Sequence, residues 1–304
     1  GIFSRKVKSF LSGETFSIHL SITSILQISI SIVYWLENET IIHGGNPMFT
    51  KAITRKPCKA LIDGISTAQF CDGTPDYETA VKQHDCYVAT LRELGLTVTD
   101  LEADERYPDS CFVEDPAVVM ERCAIITNPA RKSRNGEKVE IEQTIKKFYN
   151  DDQIFHIESP GTLEGGDVMR VGDHFYVGLS DRTNEEGAKQ FHEIVTKFGY
   201  TSSTVPVTEG LHLKDFAIYL ENNNLLVTSL MDQEPSFQNF NRFVIDPEEL
   251  YAINSLYING TVLVPAGYPK TKALIEKLGY PVKLVDTSEF RKIDGSLTCL
   301  SLRF

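Results

Sequence analysis

The chain has 304 residues, of which 41% are hydrophobic and 24% charged, a balance that excludes both a disordered and a membrane-embedded protein. Thirty Lys and Arg stand against 42 Asp and Glu, a formal net charge of −12. That argues against nucleic acid as the main partner, since phosphate binding needs a positive surface, and favours cationic or zwitterionic small ligands.

Residues 1–47 differ from the rest. Arg5, Lys6 and Lys8 precede an Ile-, Leu- and Ser-rich run, 16–36, with period-2 alternation at Ile18, Leu20 and Ile22 and again at Ile28, Ile30 and Ile32. A signal peptide or anchor is one reading and an extra edge strand another. The many serines, with His19 and Gln27, weaken a spanning helix, and no small-residue cleavage site follows. A third reading is preferred. Met48 is the first methionine, and Gly44-Gly45 just ahead of it can be encoded by GGAGGA, a bacterial ribosome-binding sequence. Residues 1–47 are therefore expected to be translated leader, and 48–304 a single catalytic domain. Three basic and three acidic residues cancel within 1–47, so the −12 belongs to 48–304.

From Met48 the chain repeats itself. An opening strand covers 49–54. A helix follows over 76–94, with Ala80, Val81, Tyr87, Val88 and Leu91 on one face and Gly95 as its stop. Then comes a strand pair over 111–127 (CFVEDPAVVMERCAIIT) and a helix over 139–149. A second pair, 163–179 (LEGGDVMRVGDHFYVGL), turns at 171–174 and leads to a helix over 184–198 that stops at Gly199. The third pair, 211–229 (LHLKDFAIYLENNNLLVTS), turns at 221–224, and the fourth, 255–266 (SLYINGTVLVPA), at Asn259-Gly260. A helix over 271–278, a stop at Gly279 and a strand over 279–285 complete that unit. A half-copy, 296–304 (SLTCLSLRF), ends the chain and can pair with the opening strand.

The unit is strand–strand–helix–strand, a ββαβ module recurring every ~40 to 50 residues about five times. An open stack of five would leave two apolar faces uncapped, and no polar capping repeat is present. The expected fold is therefore α/β: a closed, pseudo-fivefold, five-bladed propeller with a central active site. A doubly wound sheet fits the paired short strands poorly and lacks its Gly-rich dinucleotide loop.

In such a fold, equivalent points of each repeat converge on the axis, and reactive groups recur at those points. Asp109, Glu114 and Asp115 belong to the first pair, Glu164 and Asp167 to the second, His212 to the third and Cys299 to the last. Taken singly, each has a bland reading: an acidic strand start, a turn residue, a hydrogen-bonded core histidine, a buried strand thiol. The six cysteines (58, 71, 86, 111, 123 and 299) have no C-x-x-C or zinc-ligand spacing and suit a reduced, cytoplasmic chain. Together, cysteine and histidine suit covalent catalysis. Carboxylates beside them would raise the thiol pKa unless a bound cation neutralises them, and guanidinium, which carboxylates grip bidentately, is the obvious cation.

The runs DERYPDSCFVEDP, RNGE, TLEGGD, DRTN, LHLK, PAGYP and EFRKIDGSLTCLSLRF resemble the dimethylarginine dimethylaminohydrolases of the guanidine-modifying, or pentein, superfamily, across essentially all of 48–304. The resemblance implies hydrolysis of asymmetric dimethyl-L-arginine and monomethyl-L-arginine to L-citrulline and the methylamine, with no metal and no organic cofactor. It implies Cys299 as nucleophile, with an S-alkylthiouronium intermediate, and His212 as acid and then base. Glu164 and Asp115 would hold the guanidinium, with Glu114 beside them. Arg134 and Arg182 would clamp the α-carboxylate, and Asp109 would serve the amino-acid end. Backbone groups of Ile65 and Ile293 would line the site, under a lid at 65–75. A homodimer is also suggested, and neither nucleic acid nor membrane is an expected partner of 48–304. Residues 1–47 have no counterpart in that pattern. Within the same fold an arginine deiminase, another guanidine hydrolase or an amidinotransferase shares the Cys/His pair. A non-catalytic propeller that binds arginine-like ligands is the remaining alternative, opposed by the retention of Cys299, His212 and Glu164 together.

Overall fold

A computed structural model describes residues 3–8, 15–20, 48–67 and 73–304, in two compact units, 1–47 and 48–304. In the first unit, β1 (Phe3–Lys8) pairs antiparallel with β2 (Thr15–Leu20) in a two-stranded sheet of their own. Most of the Ile- and Ser-rich run lies outside the described residues, as do 68–72 of the expected lid.

Among its described residues the second unit has fifteen strands in five three-stranded sheets of one topology: the first and middle strands are antiparallel, the middle and last parallel. Blade 1 combines β3 (Lys51–Arg55) and β4 (Thr97–Leu101) with the chain's final strand, β17 (Leu302–Arg303). Blade 2 holds β5 (Ala117–Val119), β6 (Ala124–Ile126) and β7 (Ile154–His156). Blade 3 holds β8 (Val168–Val171), β9 (His174–Leu179) and β10 (Thr201–Pro206). Blade 4 holds β11 (Ala217–Tyr219), β12 (Asn224–Val227) and β13 (Asn241–Val244), and blade 5 β14 (Leu256–Ile258), β15 (Thr261–Pro265) and β16 (Val282–Val285). The termini of 48–304 close the circle, with Leu302 opposite Ile53 and Arg303 opposite Ala52.

Side-chain alternation explains the closure. Successive residues of a strand face opposite sides of its sheet. On β6, Ile125 joins a core cluster shared with blade 3, while Ala124 and Ile126 join one shared with blade 1. On β12, Leu225 and Val227 pack toward blade 3 and Leu226 toward blade 5. On β15, Val262 and Val264 meet blade 4, and Leu263 meets blade 1. Each middle strand is apolar on both faces because each blade is buried between two neighbours, and five such interfaces form a closed ring.

A helix joins the middle strand to the last in four blades: α1 (Tyr77–Glu93), α2 (Lys138–Ile145), α3 (Glu185–Thr196) and α4 (Pro269–Lys277). Asp76 caps the first through the Thr79 N–H, and Gly95, at φ 91°, supplies the left-handed residue that ends it. Its inner face departs from the expectation: Val81 is half-buried, and Gln83 and His84 are buried instead. Gln83 meets Ser288 Oγ (2.8 Å) and the Glu289 N–H (3.0 Å), and His84 Nε2 meets Asp100 (2.9 Å), while the buried His84 Nδ1 has no partner among the described residues. In blade 4 two 3₁₀ turns, Met231–Gln233 and Pro235–Phe237, replace the helix, since Pro235 cannot continue one.

Candidate active site

The chemistry-bearing residues lie not on the strands, as expected for His212 and Cys299, but on the tight turns just before the first strand of each blade. Asp115 stands two residues ahead of β5. Glu164 and His212 are the N-caps of the 3₁₀ turns Gly165–Asp167 and Leu213–Asp215, ahead of β8 and β11. Asn254 precedes β14, and Cys299 sits within the turn Thr298–Leu300, ahead of β17. A turn frees a side chain from sheet alternation and aims it at the axis.

Hydrogen bonds link these turns in a closed ring. The N–H groups of Gly165 and Gly166 donate to the backbone carbonyl and side chain of Asp115, both at 3.1 Å. The Leu213 N–H donates to Asp167 Oδ1 (2.9 Å), and Asn254 Nδ2 to Asp215 Oδ1 (3.5 Å). The Thr298 N–H donates to Asn254 Oδ1 (3.0 Å), and the Glu114 N–H closes the ring on the Cys299 carbonyl (3.1 Å).

A pocket of about 330 Å³ opens on one side of this ring. Among its lining residues are Cys299, His212, Asp115 and Asp109, together with Arg134, Arg182, Ile65 and Ile293, eight of the ten residues to which the resemblance gave site roles. Glu164 and Glu114 do not line it. Glu164, fully buried behind the wall, pairs with His212 Nε2 at 2.8 Å and with Arg182 Nη1 at 3.4 Å. Glu114 is held by Lys214 and by Arg303 Nη2 (3.1 Å). Lys214 is itself buried.

The two arginines differ in their free capacity. Arg134 is largely committed internally: Nη1 donates to Asp115 (2.6 Å), Nε and Nη2 fork onto Glu137 (3.0 and 2.8 Å), and Nη2 also reaches the carbonyls of Asp109 and Phe112, which leaves one Nη1 hydrogen. Among the described residues the Arg182 side chain has only its long contact with Glu164, which leaves donors for a ligand. Asp109 accepts the Ile65 N–H at 3.0 Å, fixing that segment at the mouth.

His212 sits among Asp115 (3.8 Å), Glu164 and Asp167. Burial alone would lower its pKa, but Asp115, the bond to Glu164 and the charge of Asp167 outweigh it and lift the value to about 10. The converse holds for Asp115: burial would raise it, yet His212 and Arg134 hold it down at about 2. The resting histidine is thus an imidazolium with Nε2 committed to Glu164. Its Nδ1 edge lies against Gly166, where a Cβ would come within 2.5 Å of the ring, so only glycine fits there. The Cys299 thiol is pushed well above its usual value by burial and by Glu114, Asp115 and Asp215. Without a ligand the pair is therefore a neutral thiol beside an imidazolium. Asp115, Glu164 and His212 also bring donor atoms within 4.8 Å of one another, a spacing that could hold a metal ion, but a protonated imidazole has no lone pair for one.

Asp294 lines the pocket and has no sequence signal of its own. It holds a left-handed backbone (φ 59°), its Oδ2 accepts the Thr67 N–H, and its buried Oδ1 has no partner among the described residues. Asp215 and Asn254, behind the pocket, were equally silent. All three gain meaning only from the turns that surround them.

A sequence profile of the family described as N,N dimethylarginine dimethylhydrolase, eukaryotic, matches residues 63–231. The chain is 49% identical over 257 residues to the N(G),N(G)-dimethylarginine dimethylaminohydrolase of Pseudomonas aeruginosa, covering 84% of this chain and 100% of that one. It is 35% identical over 253 residues to the protein of the same name from Streptomyces coelicolor, covering 83% and 96%. A solved structure of the Pseudomonas protein, a mutant complexed with citrulline, superposes with a TM-score of 0.82 at 48% identity, over 84% of this chain and 100% of that one. The N-terminal domain of ArgZ, a cyanobacterial arginine dihydrolase, shares the fold at 16% identity (TM-score 0.69; 84% and 97% covered).

Proposed function

The chain belongs to the dimethylarginine dimethylaminohydrolase family, and from that premise we propose how its pocket hydrolyses Nω-methylated L-arginine to L-citrulline and a methylamine. The observation that carries the mechanism is the meeting of Cys299 and His212 in one pocket with the carboxylates of Asp115, Asp109 and Asp294.

Entry of the guanidinium adds positive charge beside Cys299, where burial and the carboxylates of Glu114, Asp115 and Asp215 otherwise keep the thiol protonated. Asp115 and the unpartnered Oδ1 of Asp294 receive its nitrogens, and Glu164 acts from behind through His212. The α-carboxylate meets the spare donors of Arg182, with Arg134 adding charge behind Asp115, and Asp109 with the backbone at Ile65 and Ile293 receives the α-ammonium.

With the cation bound, the thiol loses its proton to solvent and the thiolate attacks the guanidinium carbon. The His212 imidazolium protonates the departing dimethylamine as the C–N bond breaks, leaving an S-alkylthiouronium. Neutral His212 then takes a proton from water, hydroxide adds to the same carbon, and the C–S bond breaks to release citrulline. The hydroxyl proton of the adduct passes to the departing thiolate, which leaves the carbonyl of neutral citrulline and restores the thiol. A histidine already charged at rest is suited to act first as acid and only then as base.

The five described cysteines are free, which supports a reducing, cytoplasmic setting, and no helix among the described residues is long and apolar enough to cross a membrane. A homodimer is part of the proposal and is checked by light scattering. The deciding experiment for the activity compares citrulline release from arginine, asymmetric dimethylarginine and symmetric dimethylarginine. The asymmetric compound is expected to turn over fastest. Preference for arginine would instead assign a deiminase, and no citrulline from any of them a binding protein.

A further inference from the structure

Four of the five turns around the axis carry groups that the proposed reaction uses: Asp115, Glu164, His212 and Cys299. The fifth carries Asn254, which is 3% exposed and does not line the pocket. Its carboxamide is engaged at both ends. Oδ1 accepts the N–H of Thr298, the residue before the nucleophile, at 3.0 Å. Nδ2 donates to Asp215 Oδ1 at 3.5 Å, while Asp215 Oδ2 accepts the backbone N–H of His212 at 3.2 Å. The Asn254 carbonyl also accepts Ser296 Oγ at 3.4 Å. One buried amide therefore joins the turn that carries the thiol to the turn that carries the imidazolium. A carboxylate in its place lacks the donor, and an aliphatic side chain lacks both groups.

We propose that Asn254 is a positioning residue that sets the placement of Cys299 relative to His212. It touches neither the substrate nor the reacting atoms; it acts through Thr298 on one side and Asp215 on the other. The proposal rests on the reading of Cys299 and His212 as nucleophile and acid.

The test follows citrulline release from asymmetric dimethylarginine by wild type, Asn254→Ala and Asn254→Asp from pH 7 to 9, above the pH of about 6 at which Asp215 ionises, with active-site titration to count folded sites. Asn254→Ala is expected to lower kcat by about 10- to 100-fold, since a small misplacement of reacting groups costs that much, while KM moves less than about threefold. Asn254→Asp carries the decisive readout. Its carboxyl faces Asp215, with the His212 imidazolium beyond, and only its protonated form both donates and accepts as the amide does. Its rate relative to wild type should rise about tenfold or more as the pH falls, while the ratio for Asn254→Ala stays flat. A flat ratio for Asn254→Asp, a loss confined to KM, or a loss fully accounted for by fewer folded sites overturns the proposal. If Asn254→Ala does not fold, the slope of Asn254→Asp decides alone. A wild type that releases no citrulline overturns the catalytic reading and this proposal with it, and is recognised before any variant is made.

Discussion

Raising the pH from 7 to 9 is expected to destabilise the protein by about 2–3 kcal/mol through His212 alone. The imidazole titrates near 10 in the folded protein, held there against burial by Asp115, Glu164 and Asp167. An unfolded chain returns it to about 6.5. A group whose folded pKa is raised contributes its full stability below the unfolded value and loses it as the pH climbs through the folded one. The shift of about 3.5 units corresponds to about 5 kcal/mol in all, and roughly half of it disappears between pH 7 and 9. Asp215, which burial lifts to about 6, has ionised below this window and does not confuse it. For a domain of this size the loss corresponds to a fall of about 5–10 °C in melting temperature. The assay is thermal unfolding at several pH values for wild type and His212→Gln. The variant should be less stable at pH 7, because Glu164 and Asp115 lose their cation, but should lack this part of the slope. Parallel pH profiles for the two proteins would refute the assignment of His212 as a buried imidazolium.

Cys299→Ser is expected to abolish citrulline release while leaving the melting temperature within a few degrees of wild type, about 3 °C by ordinary buried-site tolerance; retained turnover removes the covalent step. Arg182→Ala should raise KM through the loss of a buried charged partner worth about 2–5 kcal/mol and change kcat much less, as read by steady-state kinetics; an unaltered KM moves the carboxylate contact elsewhere. Leu302→Ala acts on closure. Leu302 is buried between blades 1 and 2 opposite Ile53, so its truncation should cost about 2–5 kcal/mol in chemical unfolding, and a negligible cost would mean that the circle does not need its last strand.

The sequence carried the architecture because the fold is a repeat whose signals are local. Turn-forming pairs such as Asn259-Gly260, left-handed at 48° and 93°, mark each hairpin, and apolar runs of period two or 3.6 mark each strand and helix. The missing helix of blade 4 is a departure from that repeat, which predicts a helix in every unit; Pro235 interrupts the interval. The inner face of α1 was not legible either. Gln83 and His84 look solvent-facing until Ser288, Glu289 and Asp100, distant in sequence, supply their partners.

The sequence by itself determined the module, its number and the residues able to do chemistry, because each depends on residue type and short-range spacing. Only the tertiary structure decided how those residues are used. Closing five blades set Glu164 behind His212 rather than in the pocket, and buried enough charge around one imidazole to keep it protonated. It committed all but one of the Arg134 donors while leaving Arg182 with several to spare. It also gave roles to Asp294, Asp215 and Asn254, residues that no local pattern distinguishes. Burial, pairing and free valence belong to atoms far apart in the chain and near in space, so they come into being only when the ring closes.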